Sequence, residues 1–254
     1  MIRLVSVFAF SLILSSCAST SSSHSASVVR IFMVGDSTMA IKEDSERPET
    51  GWGEKLADYL IPTVTVFNHA MNGRSTKSFR DEGRWQAVLD QLQPGDFVMI
   101  QFGHNDQKVN DPARFTNPYS SYRDNLHRYV EETRQRGSQP ILLSSVVRRN
   151  FNEAGSLVDT HAPYPAVMRA LALEMNVAFI DMNTLSENLV FERGEEGSKA
   201  IYLQLPAGVS SNYPDGVEDN THFSDQGAYL MAGLVAMALC EMQHPLATNL
   251  KICD

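Results

Sequence analysis

Five short apolar runs rich in β-branched residues recur along the chain: VVRIFMV at 28–34, TVTVFNH at 63–69, DFVMIQF at 96–102, PILLSSVV at 140–147 and VAFIDM at 177–182. Several are almost continuously apolar, as strands covered on both faces should be. Between them the apolar positions fall at helical spacing. WGEKLADYLI (52–61) follows the first run, GRWQAVLDQL (83–92) the second, and AVMRALALEM (166–175) and DQGAYLMAGLVAMALCEM (225–242) come later. In SYRDNLHRYVEETRQRG (121–137), Tyr122, Leu126, Tyr129 and Val130 share one face, and Gly137 is a natural C-cap. Strand and helix in alternation predict an α/β fold, a parallel sheet of five strands with helices on both sides. No repeat or second domain interrupts 28–254, and 183–218 reads as one long loop region with weak helical character.

In open α/β sheets ligands bind beyond the carboxyl ends of the strands. Strand one ends in Gly35-Asp36-Ser37-Thr38, strand two in Asn68-His69-Ala70-Met71-Asn72-Gly73-Arg74-Ser75, and strand three in Gly103-His104-Asn105-Asp106. Read locally, Ser37 serves equally as a helix N-cap or as a nucleophile. A nucleophilic serine needs a base, and the base an orienting acid. Asp219 and His222, three apart in a loop before the last helix, supply that pair, with Nε2 left free for Ser37. Acyl transfer also needs donors for the oxyanion. The N–H of Ser37, the bare backbone of Gly73 and the side-chain amide of Asn105 are the candidates. Singly, each has an ordinary structural reading: turn, cap or surface residue. No G-x-S-x-G elbow is present, which excludes the common α/β-hydrolase arrangement.

Composition changes the picture in two places. The net charge of −9 over 254 residues argues against a nucleic-acid partner. Against that acidic background Arg74, Lys77, Arg80 and Arg84 follow Gly73, and Arg148-Arg149 follow strand four; they read either as a carboxylate-binding cluster or as surface ion pairs. Arg74, His104, Arg148 and His161 are the substrate-contact candidates. Trp52, Trp85, Tyr119 and Tyr164 fit sugar stacking and core packing about equally. His69, His104, His161 and His222 lack close metal-ligand spacing, so no metal is expected.

The amino end, MIRLVSVFAFSLILSSCASTSSS, has one early Arg, an apolar stretch and then small residues, the layout of an export signal. Leu14-Ser15-Ser16-Cys17 resembles the lipobox of bacterial lipoproteins. That resemblance implies a signal peptide over 1–17, lipidation of Cys17, and a Ser-rich tether over 18–27. A plain secretory signal is the alternative. Ala18 after Cys17 resembles signals sorted to a Gram-negative outer membrane, so a lipid-anchored location there is expected. In an exported chain Cys240 and Cys253 could pair, for about 3 kcal/mol in the chain-entropy model, or remain two free thiols.

The combination of GDS, the Gly of NGRS, GHND and DNTH, in that order, resembles the four blocks of the SGNH (GDSL-like) hydrolases. The longer words GDSTMA, GWG, NGRSTKSFRDEGRW, QFGHNDQK and DTHAPYP look like the rhamnogalacturonan acetylesterase branch. The likeness spans roughly residues 30–240. It implies a flavodoxin-like α/β/α sandwich with Ser37 as nucleophile, Asp219 and His222 completing a triad, and Ser37, Gly73 and Asn105 as oxyanion donors. It also implies a cofactor-free esterase acting on an acetylated polysaccharide, most simply a pectin; a monomer is expected. Other SGNH activities, on xylan, lysophospholipids or thioesters, are the nearer alternatives. A glycan-binding lipoprotein without catalysis is the distant one. On this reading Thr38 is the structural hydroxyl, and a helix opening after strand one aims Ser37 into the cleft.

Overall fold

The computed structural model describes residues 28–253; the expected signal peptide, Cys17 and the tether lie outside them. In β1 (Val29–Gly35), Ile31, Phe32, Met33 and Val34 are all fully buried, and the two-residue period of a strand sends them to opposite faces. Ile31 and Met33 enter one core, Phe32 and Val34 another. β3 (Phe97–Gln101) and β4 (Gln139–Leu143) divide in the same way: Met99 and Ile141 point to the first core, Val98 and Leu142 to the second. Burial of each such side chain contributes about 1.5–3 kcal/mol, so an apolar run wets neither face. With β2 (Val64–Asn68) and β5 (Ala178–Ile180) they form one parallel sheet in the order β2-β1-β3-β4-β5.

Helices close both faces. Over the first core lie α1 (Trp52–Tyr59), α6 (Met182–Gly197) and α7 (Asp225–Glu241), through Trp52, Leu56, Met182, Val190, Met231 and Val235. Over the second lie α2 (Thr76–Asp81), α3 (Arg84–Leu89), α4 (Arg123–Gln135) and α5 (Tyr164–Met175). The α/β/α expectation therefore describes the molecule. The tail returns beside α1, where Leu250 bridges Leu60, and Cys240 is disulfide-bonded to Cys253.

Three expectations need correction. The 183–218 region is not a long loop: it holds most of α6, a short 3-10 turn over Ser198–Ile201, and β6 (Tyr202–Leu205), which pairs antiparallel with β7 (Val217–Phe223). α6 leaves only weak helical character in the sequence because it buries just Met182, Ser186 and Val190 along one narrow stripe and breaks at Gly194. No helix opens at Ser37 either. Met39 and Ala40 donate to the Asp36 carbonyl in a single turn, and α1 begins only at Trp52. Finally, Asp219 and His222 lie on β7, not in a loop.

The chain passes from β1 outward to β2, then back across β1 to β3. This reversal leaves a crevice at the carboxyl ends of the central strands. Gly35 pairs in register with Gln101, so the segments that follow β1 and β3 start side by side.

Candidate active site

The turn after β1 is built by its acid. Asp36 is fully buried, and its Oδ1 accepts from the Thr38 amide at 3.0 Å and the Thr38 hydroxyl at 2.8 Å. Burial pushes the Asp36 carboxyl up, against these hydrogen bonds. Thr38 also reaches Gln101 Oε1, which takes the Trp52 indole N–H at 2.8 Å. Thr38 thus carries the local structure, and Ser37 is the residue of the turn left partly exposed.

His222 Nε2 lies 2.8 Å from Ser37 Oγ, and His222 Nδ1 lies 2.7 Å from Asp219 Oδ2. An ionised carboxylate can only accept, so Nδ1 carries the proton and Nε2 is the acceptor for the serine hydroxyl. Asp219 Oδ1 takes the backbone N–H groups of Thr221 and His222, which fixes the carboxylate. Burial pushes Asp219 up, but the hydrogen bonds from His222 and these amides outweigh it and bring it down to about 2. Burial would lower His222, yet the Asp219 hydrogen bond and the charges of Glu49 and Asp219 raise it above its ordinary value.

Residues three apart on a regular strand face opposite ways. Here Tyr202 pairs with Phe223 and Gln204 with Glu218, so two steps along β6 match five along β7. The surplus bulges outward and turns Asp219 and His222 toward each other, as bulges near active sites do.

Gly73 has φ +76°, a conformation that disfavours a side chain. Among the described residues the backbone N–H groups of Ser37 and Gly73 donate to no protein acceptor. Asn105 Nδ2 donates to the Arg74 carbonyl at 3.0 Å, which ties it to the loop holding Gly73, while Arg114 approaches its Oδ1 at 3.4 Å. Asp106, next in the chain, is wholly buried. It receives Thr76 and Thr116, anchoring α2, and burial raises its carboxyl to about 7 despite those hydrogen bonds. The three segments at the strand ends and the bulge of β7 therefore meet, with an acid, a base, a hydroxyl and unpaired donors at one place.

The substrate-contact candidates fare differently. His161 is fully buried, bonded to the Thr160 hydroxyl at 3.0 Å and to His104 Nδ1 at 3.2 Å. It cannot touch a ligand in the cleft. Burial, helped by Arg148, lowers it to about 3. His104 is buried too, and burial, His161 and Arg148 hold it neutral and far below the usual imidazole range. Arg148 is half-buried and donates to the His104 carbonyl at 3.4 Å. Arg74 binds Glu82, as does Arg84; Arg80 forms a bidentate pair with Glu132. Trp52, Trp85 and Tyr164 are core residues, and Tyr119 is exposed. An open cleft of about 450 Å³ lies beside Gly73, bounded by Asn72, Arg74, Glu82 and Arg114. Arg114, Lys42 and Glu49 escaped the sequence reading, because a charged residue in a polar loop carries no spacing signal.

A model of the GDSL-like Lipase/Acylhydrolase family matches residues 33–230. The chain is 40% identical over 222 residues to rhamnogalacturonan acetylesterase RhgT of Bacillus subtilis, covering 87% of this chain and 94% of the relative. It is 30% identical over 221 residues to a rhamnogalacturonan acetylesterase of Emericella nidulans, covering 80% and 81%. Among solved structures, protein YxiM of Bacillus subtilis superposes with a TM-score of 0.72 at 25% identity, over 85% of this chain and 57% of that one. An acetylxylan esterase of Geobacillus stearothermophilus superposes with a TM-score of 0.61 at 18% identity, over 83% and 94%.

Proposed function

The chain belongs to the GDSL-like lipase/acylhydrolase family, and from that premise we propose that it is a serine esterase removing O-acetyl groups from acetylated rhamnogalacturonan. The carrying observation is the unbroken hydrogen-bonded line from Ser37 Oγ through His222 to Asp219. In this reading His222 Nε2 takes the Ser37 proton as Oγ attacks the acetyl carbonyl carbon. The oxyanion is received by the N–H groups of Ser37 and Gly73 and by Asn105 Nδ2. Collapse of the tetrahedral species expels the sugar alkoxide, which takes the proton from His222. Water then attacks the acetyl-serine by the same route and releases acetate, restoring Ser37.

The choice of a pectin is supported by two relatives bearing that activity in their names. The guanidinium groups of Arg74 and Arg114 also border the cleft, each beside an acidic partner, Glu82 and Asp111, with which a uronate carboxylate would compete. Acetate release from acetylated rhamnogalacturonan, acetylated xylan and a sialic acid ester, run in parallel, tests it. The expected result is a kcat/KM at least about tenfold higher on the first, a transition-state preference of about 1.4 kcal/mol. An equal or higher value on xylan would remove the pectin assignment and leave the esterase. Asn105→Ala is expected to lower kcat by about 10²–10³ with little change in KM, because one oxyanion donor is lost. Steady-state rates on p-nitrophenyl acetate read this directly, and a KM effect alone would point to a role in binding.

A further inference from the structure

Between β1 and α1 the chain makes a polar excursion that ends by touching β7. Thr50 forms an isolated antiparallel bridge with Phe223, its N–H donating to the Phe223 carbonyl at 3.1 Å. The bridge brings the Glu49 side chain near His222, the residue before Phe223. Glu49 Oε1 stands 4.0 Å from His222 Nε2, on the atom that faces Ser37. The same oxygen is 2.6 Å from Lys42 Nζ, and the Lys42 side chain is wholly buried. Lys42 Nζ also donates to Asn72 Oδ1 at 2.8 Å, and Asn72 immediately precedes Gly73. Asn72 in turn donates to Glu46 Oε1 at 2.6 Å. A buried ammonium thus joins the carboxylate beside the base to the loop that carries an oxyanion donor.

A buried charge is retained only when paired, and a lysine is a costly way to fill space. An unopposed carboxylate beside Nε2 would also harm the site. After His222 takes the serine proton it is an imidazolium. A closure of about 1 Å would let Glu49 form an ion pair with Nε2–H, in competition with Ser37 and with the leaving alkoxide.

We propose that Lys42 and Glu49 are a positioning pair for the base: Glu49 acts with Asp219 as a second carboxylate for the His222 imidazolium, and Lys42 holds Glu49 away from Nε2. This rests on His222 being the general base. The charged and titratable groups facing His222 are Asp219 on β7, Glu49 and Lys42 before α1, Asp36 after β1 and His104 after β3. Tyr213 faces Glu49 from the β6–β7 connection. Removing Glu49 takes a negative charge from the imidazolium, so the base titrates at lower pH. Removing Lys42 exposes the imidazolium to the full negative charge, so the base titrates at higher pH.

The test is the pH profile of p-nitrophenyl acetate hydrolysis for wild type, E49Q, K42M and K42M/E49Q at fixed ionic strength. The acid limb of kcat/KM reports the free base. E49Q should lower kcat about fivefold and move the acid limb down by about one pH unit, with KM little changed. K42M should lower kcat about 100-fold and move the limb up by about one unit. The double variant should return to within about threefold of E49Q, because the captor has gone; such non-additivity marks groups in contact. An unmoved limb in E49Q, or a double variant no better than K42M, overturns the pair's role. The E49Q limb decides the matter even if K42M fails to fold. His222→Ala separates the two readings: full activity there would remove the base itself. An inactive His222→Ala with an unmoved E49Q limb removes only the pair.

Discussion

Ser37→Ala is expected to reduce kcat for acetyl ester hydrolysis by about 10⁴-fold or more while the fold is retained. In the proposed mechanism the alanine deletes the attacking atom and leaves only the oxyanion donors and binding to act on water. His222→Ala should cost a similar factor, and the double variant no more than either alone, since the two act as one unit. Wild-type activity should fall as pH drops through a value above 6.5. The base must be neutral to take the proton, and although burial lowers His222, Asp219 and Glu49 raise it past that ordinary value. Rates on p-nitrophenyl acetate between about pH 5 and 9 measure both effects. An active Ser37→Ala enzyme would end the nucleophile assignment.

Gly227→Ala is expected to be the most damaging single methyl in the fold. A Cβ there would sit 1.7 Å from the Ile201 carbonyl oxygen and 2.6 Å from its carbon, and backbone cannot swing aside as a side chain can. The contact is close because Ser224 caps α7, donates its own N–H to the Ile201 carbonyl and takes the Gly227 N–H. The first turn of α7 is thereby clamped to the chain entering β6. Relieving the clash requires α7 to withdraw, and α7 carries Met231, Ala232 and Val235 into the core. A loss of about 3 kcal/mol or more follows, roughly 10 °C in Tm for a domain of this size. Gly197→Ala is the control: its φ is −67° and its nearest neighbour would be 3.6 Å away. Thermal unfolding of both variants checks the contrast, and comparable Tm values would refute the clash argument.

The central strands β1, β3 and β4 were legible because burial on both faces leaves a continuous apolar run, whereas the partly buried edge strands β2 and β5 showed through their β-branched and aromatic residues. Helix ends were readable only to within a few residues, and GRWQAVLDQL shortened to α3 at Arg84–Leu89. α6 was illegible for a physical reason: its buried stripe includes a serine, and its outer face is as polar as a loop. The short hairpin of β6 and β7 was hidden likewise, since four residues of β6 give too little alternation to read. At the site, the chemistry restricts which residue types can serve. Ser37, Gly73, Asn105, Asp219 and His222 therefore stood out from several segments at once, and the structure brings them together. His161 misled because a polar loop after a strand says nothing of what will close over it; Thr160 and His104 do. Lys42 and Glu49 were invisible because their partner is each other, and burial of a lysine is a tertiary fact.

The bulge of β7 bears on how this chain can change in length. With five steps along β7 set against two along β6, the side chains of Asp219 and His222 converge through a count of residues as much as through their identity. Deleting or adding one residue between them would break that convergence, because a strand changes sides at every step. In the connection over 206–216, Asn212 donates to the Asp44 and Arg47 carbonyls and Tyr213 to the Glu46 carbonyl, whereas 207–209 are exposed and make no side-chain contact of this kind. Insertions and deletions are therefore expected to be accommodated around 207–209 and not in the last few residues before α7.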